Sequence, residues 1–381
     1  MPDPIQLLRD LVATPSVNPS DAEPDDTLFG EARVVDLLEA WFHRHRIHCL
    51  RQQAAPGRQN LIAVVEGTGP ETRLLEAHTD TVSVEGMTID PFDPRTDGER
   101  MWGRGSCDCK ASLAAMATAL VRVARAGRPS KTCLLAATCG EEYRFVGIKA
   151  LVTEPQEVGL DLKPGAVTAC VGEPTSLDVI IAHKGAFRWR MTTRGKAAHS
   201  SDPSQGDNAI YRMADLLHHL RAYADSLRDC PRHPLVGGPT FSVGVIRGGS
   251  AVNIVPDSCS VLVDRRLIPG ERMDHVLCEV REFLGDRVQY EIDRLLEDWP
   301  LETPADAPIT QAVAEAVRSV LGQARIGGVQ FGTDASKLDQ VGVPTVVCGP
   351  GDIRQAHTAD EWVRLDQVEA AAKVYERLLS S

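Results

Sequence analysis

Apolar residues fall in short runs separated by polar turns, and the spacing of those runs changes character along the chain. Asp3 followed by Pro4 is a helix-start signal, and Ile5, Leu8, Leu11 and Val12 share one helical face. A second helix is predicted over 29–47, where Val34, Leu37, Leu38, Trp41 and Phe42 recur at helical spacing. Strands and helices then alternate. NLIAVVEG (60–67), RLLEA (73–77), TCLLAAT (132–138) and AVTACVG (166–172) read as strands, and 109–126 and 145–153 as helices. Near-continuous apolar strands separated by helices predict an α/β fold whose mostly parallel sheet is covered by helices on both faces.

At 178 the pattern changes. DVIIAHKGAFRWRMTTRG (178–195) alternates over a long stretch and reads as a strand pair or one long bent strand. Residues 208–220 and 271–284 read as helices, 241–249 and 258–267 as a hairpin pair, and 288–296 as a final strand. The order β-α-β-β-α-β is that of the split βαβ, or ferredoxin-like, sandwich. Helix 308–321 and strand PTVVC (344–348) return to the earlier style. The chain therefore reads as an α/β domain (1–177 plus 298–381) interrupted by an inserted domain at 178–297. A length of 381 residues agrees, being more than one hydrophobic core usually holds.

Composition narrows the function classes. The chain is 43% apolar and 25% charged, with a net charge of −12. That balance argues against a nucleic-acid or anionic-membrane partner and favours a soluble cytoplasmic protein. The start, MPDPIQLLRDL, has neither a basic segment nor a long apolar run, so no signal peptide or membrane span is expected. The ten cysteines include no CxxC pair, and Cys133, Cys170 and Cys348 lie in apolar runs where a reduced thiol acts as a small hydrophobe.

Five potential metal ligands follow or open these elements. His78 follows RLLEA, Glu142 follows TCLLAAT, Glu173 follows VTACV, and His357 comes after PTVVC, while Asp108 opens a helix in GRGSCDCKASLAAM. In open α/β sheets ligands bind beyond the carboxyl ends of the strands. Imidazole plus carboxylate suits Zn²⁺, Co²⁺ or Mn²⁺. Singly, a strand-end histidine or a glutamate pair is commonplace; their grouping points to a bimetallic hydrolase.

The chain resembles the zinc-dependent aminoacylases and deacylases that include acetylornithine deacetylase, succinyl-diaminopimelate desuccinylase and bacterial glutamate carboxypeptidase. The segments that carry the resemblance are HTDTV (78–82), GRGSCDCKASLAAM (103–116), GEEY (140–143), VGEPTS (171–176), GKAAHSSDPSQGDNAI (195–210), GGSAVNIVPDS (248–258), GTDASKL (332–338) and AHTADEWV (356–363). The resemblance implies that Asp108 bridges two ions about 3.5–4 Å apart. His78 and Glu173 would complete one shell, and Glu142 and His357 the other. The ions would be Zn²⁺, with Co²⁺ able to substitute. Asp80 would accept the second N–H of His78, and the Asp108–Cys109 peptide would be cis.

Glu141 is implied as the general base, against the plainer reading of a turn carboxylate. His199 is implied to reach the partner subunit's active site in a homodimer and to hydrogen-bond the oxyanion. Its alternative is a surface histidine at a turn. Asn253 and Arg266 match positions that hold a substrate carboxylate; Arg265 competes, because strand alternation puts only one of the two on each face. Gly332 and Thr333 match a backbone contact near the substrate, or simply a glycine-containing turn.

The chain departs from the family at Cys109 and Ala111, and Tyr143-Arg144-Phe145 is bulkier than usual. Cys107 and Cys109 read as packing, with a reactive or metal-binding thiol as the alternative. The implied activity is hydrolysis of a small N-acyl amino acid, with N-acetylornithine first. Alternatives are succinyl-diaminopimelate, a dipeptide, a non-catalytic binding relative, or a thiol-dependent enzyme.

Overall fold

The computed structural model describes residues 2–20, 27–163 and 165–381. Asp3 caps helix α1 (Pro4–Val12), its carboxylate accepting the Ile5 N–H, and Pro4 sits in the first turn, where its missing N–H costs nothing. Helix α2 (Ala32–Arg44) is shorter than the 29–47 expected. Glu31 before it turns inward to pair with Arg58, and Arg46 after it adopts φ 60°, outside the helical region. Strand β1 (His48–Ala55) pairs antiparallel with β2 (Arg58–Val65). Next come β3 (Thr72–His78), the short β4 (Arg100–Trp102), α3 (Lys110–Ala126), β5 (Thr132–Thr138), α4 (Val146–Thr153), β6 (Val167–Val171) and β7 (Val179–His183).

The alternating stretch 178–195 is a strand pair broken at Lys184. β7 belongs to the large sheet, whereas β8 (Gly185–Arg194) starts a second one. The following elements are β9 (Ala198–His199), α5 (Ala209–Ser226), β10 (Thr240–Gly248), β11 (Ile254–Val255), β12 (Ser258–Leu267), α6 (Met273–Leu284), β13 (Glu291–Asp298) and β14 (Leu301–Glu302). Strand order β10-β12-β8-β13, all antiparallel, gives the split βαβ arrangement. Burial alternates along β12, so Cys259, Val261, Val263, Arg265 and Leu267 face the core shared with Met213 and Leu216 of α5 and Val276 and Val280 of α6.

The chain finishes with α7 (Pro308–Leu321), β15 (Ile326–Val329), α8 (Ala335–Gln340), β16 (Thr345–Val347), β17 (Trp362–Arg364) and α9 (Leu365–Ser380). The large sheet runs β1-β2-β5-β3-β6-β16-β7-β14. Its centre, β5, β3, β6 and β16, is parallel, so these strands end at one edge. Helix α3, buried from Lys110 to Val121, packs against α1 and α9. Two compact units result: Met1–Ile181 with Thr303–Gly327 and Thr333–Ser381, and Ala182–Glu302 with Gly328–Gly332. All ten cysteines are free thiols, and Cys133, Cys170 and Cys348 are buried as expected of small hydrophobes. No helix among the described residues is long and apolar enough to cross a membrane.

One glycine fixes how closely α4 approaches the end of β5. A Cβ on Gly147 would collide with the Cys139 carbonyl oxygen and lie 2.5 Å from Asn60 Oδ1. Gly147→Ala must therefore push α4 away from the turn that follows β5, at a cost of about 1–3 kcal/mol. A thermal melt should show a lowered midpoint; an unchanged midpoint would mean that α4 tolerates the shift.

Candidate functional site

The parallel centre of the large sheet brings the predicted acids and histidines together at its carboxyl edge. His78 is the last residue of β3, Glu141 and Glu142 follow β5 by a short turn, and Glu173 follows β6. Asp108 precedes α3, and the Asp108–Cys109 peptide is cis. His357 comes from the loop between β16 and β17 and has φ 62°, a left-handed conformation.

Asp108 stands between two clusters. Its Oδ1 is 3.1 Å from His78 Nε2, and its Oδ2 is 3.2 Å from His357 Nε2. Glu173 Oε1 approaches His78 Nε2 at 3.8 Å, and Glu142 Oε1 approaches His357 Nε2 at 3.2 Å. Within each group, His78–Asp108–Cys109–Glu173 and Asp108–Glu142–His357, one potential ligand atom per residue lies within 4.8 Å of the others. Cys109 is thus part of the first group. Its Sγ donates to the His78 carbonyl at 3.5 Å, and burial pushes its thiol well above the ordinary range. Cys107 Sγ instead donates to the Asp352 carbonyl at 3.5 Å.

Asp80 faces the His78 ring with both its backbone carbonyl and its carboxylate. His78 Nδ1 lies 3.0 Å from the Asp80 backbone carbonyl, and the Asp80 carboxylate is farther, at 3.6 Å. That carboxylate also holds other groups. Oδ1 accepts the Glu141 N–H at 3.0 Å, and Oδ2 accepts the Glu142 N–H at 3.1 Å and Asn18 Nδ2 at 2.6 Å. Burial alone would raise the Asp80 carboxyl, but His78, Asn18 and Arg58 hold it at about 2. Glu76, on the same face of β3 as His78, accepts the Thr138 hydroxyl at 2.5 Å, and the same hydroxyl lies 3.4 Å from Asp334 Oδ2.

The electrostatics of the cluster show that it is short of positive charge. Burial pushes Glu141 and Glu173 well above the usual carboxylate range, reinforced by neighbouring acids such as Asp334 and Asp108. Glu142 rises for the same reasons. Burial would lower His78, yet Cys109, Asp108 and Asp80 outweigh it and raise the ring well above the ordinary value. Contacts with Asp108 and Glu142 raise His357 to about 10. Burial would raise Asp108 as well, but the two imidazoles bring it below the usual range. The buried guanidinium groups of Arg58 and Arg104 are already paired, with Glu31 and Glu361. Six acids, Asp80, Asp108, Glu141, Glu142, Glu173 and Asp334, therefore crowd two imidazoles, and Asp108, Glu142 and Glu173 with the two histidines form a donor set that fits two divalent cations displacing protons.

The remaining predicted residues lie in the second compact unit, except Thr333. His199 is exposed at the end of β9, and its Nδ1 accepts the Ser201 N–H at 3.2 Å. The same Nδ1 lies 2.7 Å from Ser201 Oγ, which leaves Nε2 without a partner on its own ribbon. β9 pairs with β11 (His199 opposite Ile254), and the Asn253 carbonyl accepts the Ser200 N–H at 3.1 Å, so His199 and Asn253 share one small ribbon. Arg265 is fully buried and bonded to Glu271, whereas Arg266 lies on the opposite face with its Nε 2.9 Å from Asp264 Oδ1. At Gly332 a Cβ would collide with Asp298 Oδ2, so a side chain there would require the Asp298 carboxylate to move. Thr333 is buried in the first unit; its hydroxyl accepts the Ala335 N–H at 3.2 Å and its carbonyl accepts Lys337 Nζ at 3.1 Å.

Known proteins resemble the chain along its whole length. The model of the peptidase family M20/M25/M40 matches residues 74–381. The acetylornithine deacetylase of Photorhabdus laumondii is 31% identical over 391 residues, covering 100% of this chain and 97% of that protein. An M20-family metallo-carboxypeptidase from Sulfolobus solfataricus superposes with a TM-score of 0.80 at 17% identity, covering 100% of this chain and 99% of the other. A dinuclear metal-binding M20 peptidase from Bacillus subtilis superposes with a TM-score of 0.71 at 16% identity, covering 99% of this chain and 96% of the other.

Proposed function

The chain belongs to the peptidase family M20/M25/M40, and on that premise we propose that it is a metal-dependent deacylase whose substrate is N-acetylornithine, cleaved to ornithine and acetate. The observation that carries the metal chemistry is Asp108, whose two oxygens face two different histidines, each with its own glutamate. His78 and Glu173 would hold one cation, Glu142 and His357 the other, with Asp108 shared. Zinc is the proposed ion, because the donors are imidazole and carboxylate; cobalt shares that preference. Bound there, the two cations supply Lewis acidity, bringing the pKa of water toward 7 and stabilising negative charge on a carbonyl oxygen.

The chain's own residues do the rest. Glu141, hung from Asp80 by its backbone N–H, takes a proton from the water that attacks the amide carbonyl and delivers it to the leaving nitrogen. His199, whose Nδ1 is engaged by Ser201, would present Nε2 as a donor to the developing oxyanion. Arg266 and Asn253 are suited to a substrate carboxylate, the former through its planar fork. A homodimer belongs to the same proposal.

Support for the acyl-amino-acid substrate comes from the acetylornithine deacetylases that match nearly end to end. The test is amino-acid release from N-acetylornithine, N-succinyl-diaminopimelate and a dipeptide, each with and without chelator. The expected result is cleavage of N-acetylornithine that chelation abolishes and Zn²⁺ or Co²⁺ restores. Cleavage of only the succinyl compound or the dipeptide would replace the substrate. Activity that survives chelation and is lost on thiol alkylation would replace the mechanism.

A further inference from the structure

Glu361 is a fully buried carboxylate with no part in the chemistry described so far. It lies four residues after His357 and immediately before β17. Both of its oxygens are turned onto the loop that leads to Asp108. Oε2 accepts Arg104 Nη1 at 2.7 Å and the Gly105 N–H at 3.1 Å. Oε1 accepts the Cys107 N–H at 2.9 Å and the Asp108 N–H at 3.0 Å. The contact continues a backbone ladder, since β17 pairs antiparallel with β4 and the Glu361 carbonyl accepts the Gly103 N–H at 3.0 Å.

Four donors on one carboxylate, one of them a guanidinium, make a strong and directional clamp. The clamp joins the two segments that supply Asp108 and His357, which are more than 240 residues apart in sequence. A bridging carboxylate must be held to within about 0.5 Å to face two ligands at once, which takes supporting hydrogen bonds behind it. We propose that Glu361 is the positioning residue for Asp108, fixing its backbone N–H so that its carboxylate lies between His78 and His357. This role rests on the metal-centre assignment made above but not on the identity of the substrate.

Glu361→Gln tests it sharply. The amide is isosteric, but every partner of Glu361 is a donor, so either orientation of the amide turns an NH₂ group against two N–H donors. Arg104→Met is the companion variant: it removes the guanidinium and leaves three N–H bonds to the carboxylate. The readout is Co²⁺ affinity by calorimetric titration and the visible spectrum of the cobalt form, alongside thermal midpoints. Glu361→Gln is expected to weaken Co²⁺ binding at least tenfold and to alter the cobalt spectrum. Arg104→Met should lower the midpoint comparably while binding Co²⁺ within about threefold of wild type.

Co²⁺ affinity for Glu361→Gln within threefold of wild type would overturn the proposal, as would equal losses in the two variants. If Glu361→Gln does not fold, Glu361→Asp, which keeps the charge but shortens the reach by one methylene, is held to the same criteria. A wild-type chain that takes up no cobalt would remove the metal centre and this role together; wild-type uptake matched by the variant would remove the role alone.

Discussion

Replacing Glu141 by alanine is expected to lower kcat by roughly 10²–10⁴-fold, the usual contribution of a positioned general base, while leaving the metal content unchanged. The geometry separates Glu141 from its neighbour. Glu142 Oε1 lies 3.2 Å from His357 Nε2, within one of the two ligand groups, and Glu141 belongs to neither group. Both hang from Asp80 by backbone N–H bonds, so removing the Glu141 side chain leaves the placement of Glu142 intact. Burial raises the Glu141 carboxyl far above its ordinary range, with Asp334 and Glu142 adding to the shift. Divalent cations nearby would lower it again, favouring the carboxylate form that can act as a base. Steady-state kinetics with metal analysis decides the matter. Full turnover would end the base assignment, and loss of metal together with turnover would make Glu141 a ligand.

Asp108→Asn should have the larger effect on metal. The asparagine keeps the shape but offers one acceptor oxygen and an NH₂ group, so one of the two imidazole-bearing clusters loses its shared anion. Metal content should fall by at least one ion per chain. Lewis-acid stabilisation is worth several kcal/mol, so turnover should fall about 10³-fold or more. An asparagine variant that retains the full metal content and turns over within tenfold of wild type would show that Asp108 does not bridge.

Much of the site is legible in the amino-acid sequence because the chemistry sits where apolar runs stop. Strand 132–138 and helix 308–321 have the bounds their patterns predict. The residues expected to meet, His78, Asp108, Glu142, Glu173 and His357, do meet. What the pattern does not show has physical causes that differ from element to element. β1 (His48–Ala55) buries only Gln52 and so carries no apolar alternation to read. α9 presents Ala371 and Ala372 among its buried positions, which blunts its stripe. Asn18 and Glu361 act by donating to or accepting from groups that every sequence has, a carboxylate or a backbone N–H, and no residue spacing announces such a bond. Even Glu361, inside the AHTADEWV segment, shows its purpose only when β17 folds back onto β4.

The single carboxylate of Asp80 that holds both Glu141 and Glu142 also limits how such an enzyme can diversify. A mutation that shifts the base drags a ligand with it, so the reacting centre can change only as a block. Variation in what is cleaved then falls to residues outside this turn, such as Arg266 and Asn253, the proposed contacts to a substrate carboxylate. Just past the two glutamates the chain takes a left-handed path, with Arg144 at φ 71° and Phe145 at φ 57°. The Tyr143-Arg144-Phe145 stretch is pinned as well, with the Phe145 ring buried and Lys337 Nζ 3.3 Å from its centroid, so the block extends past the two glutamates.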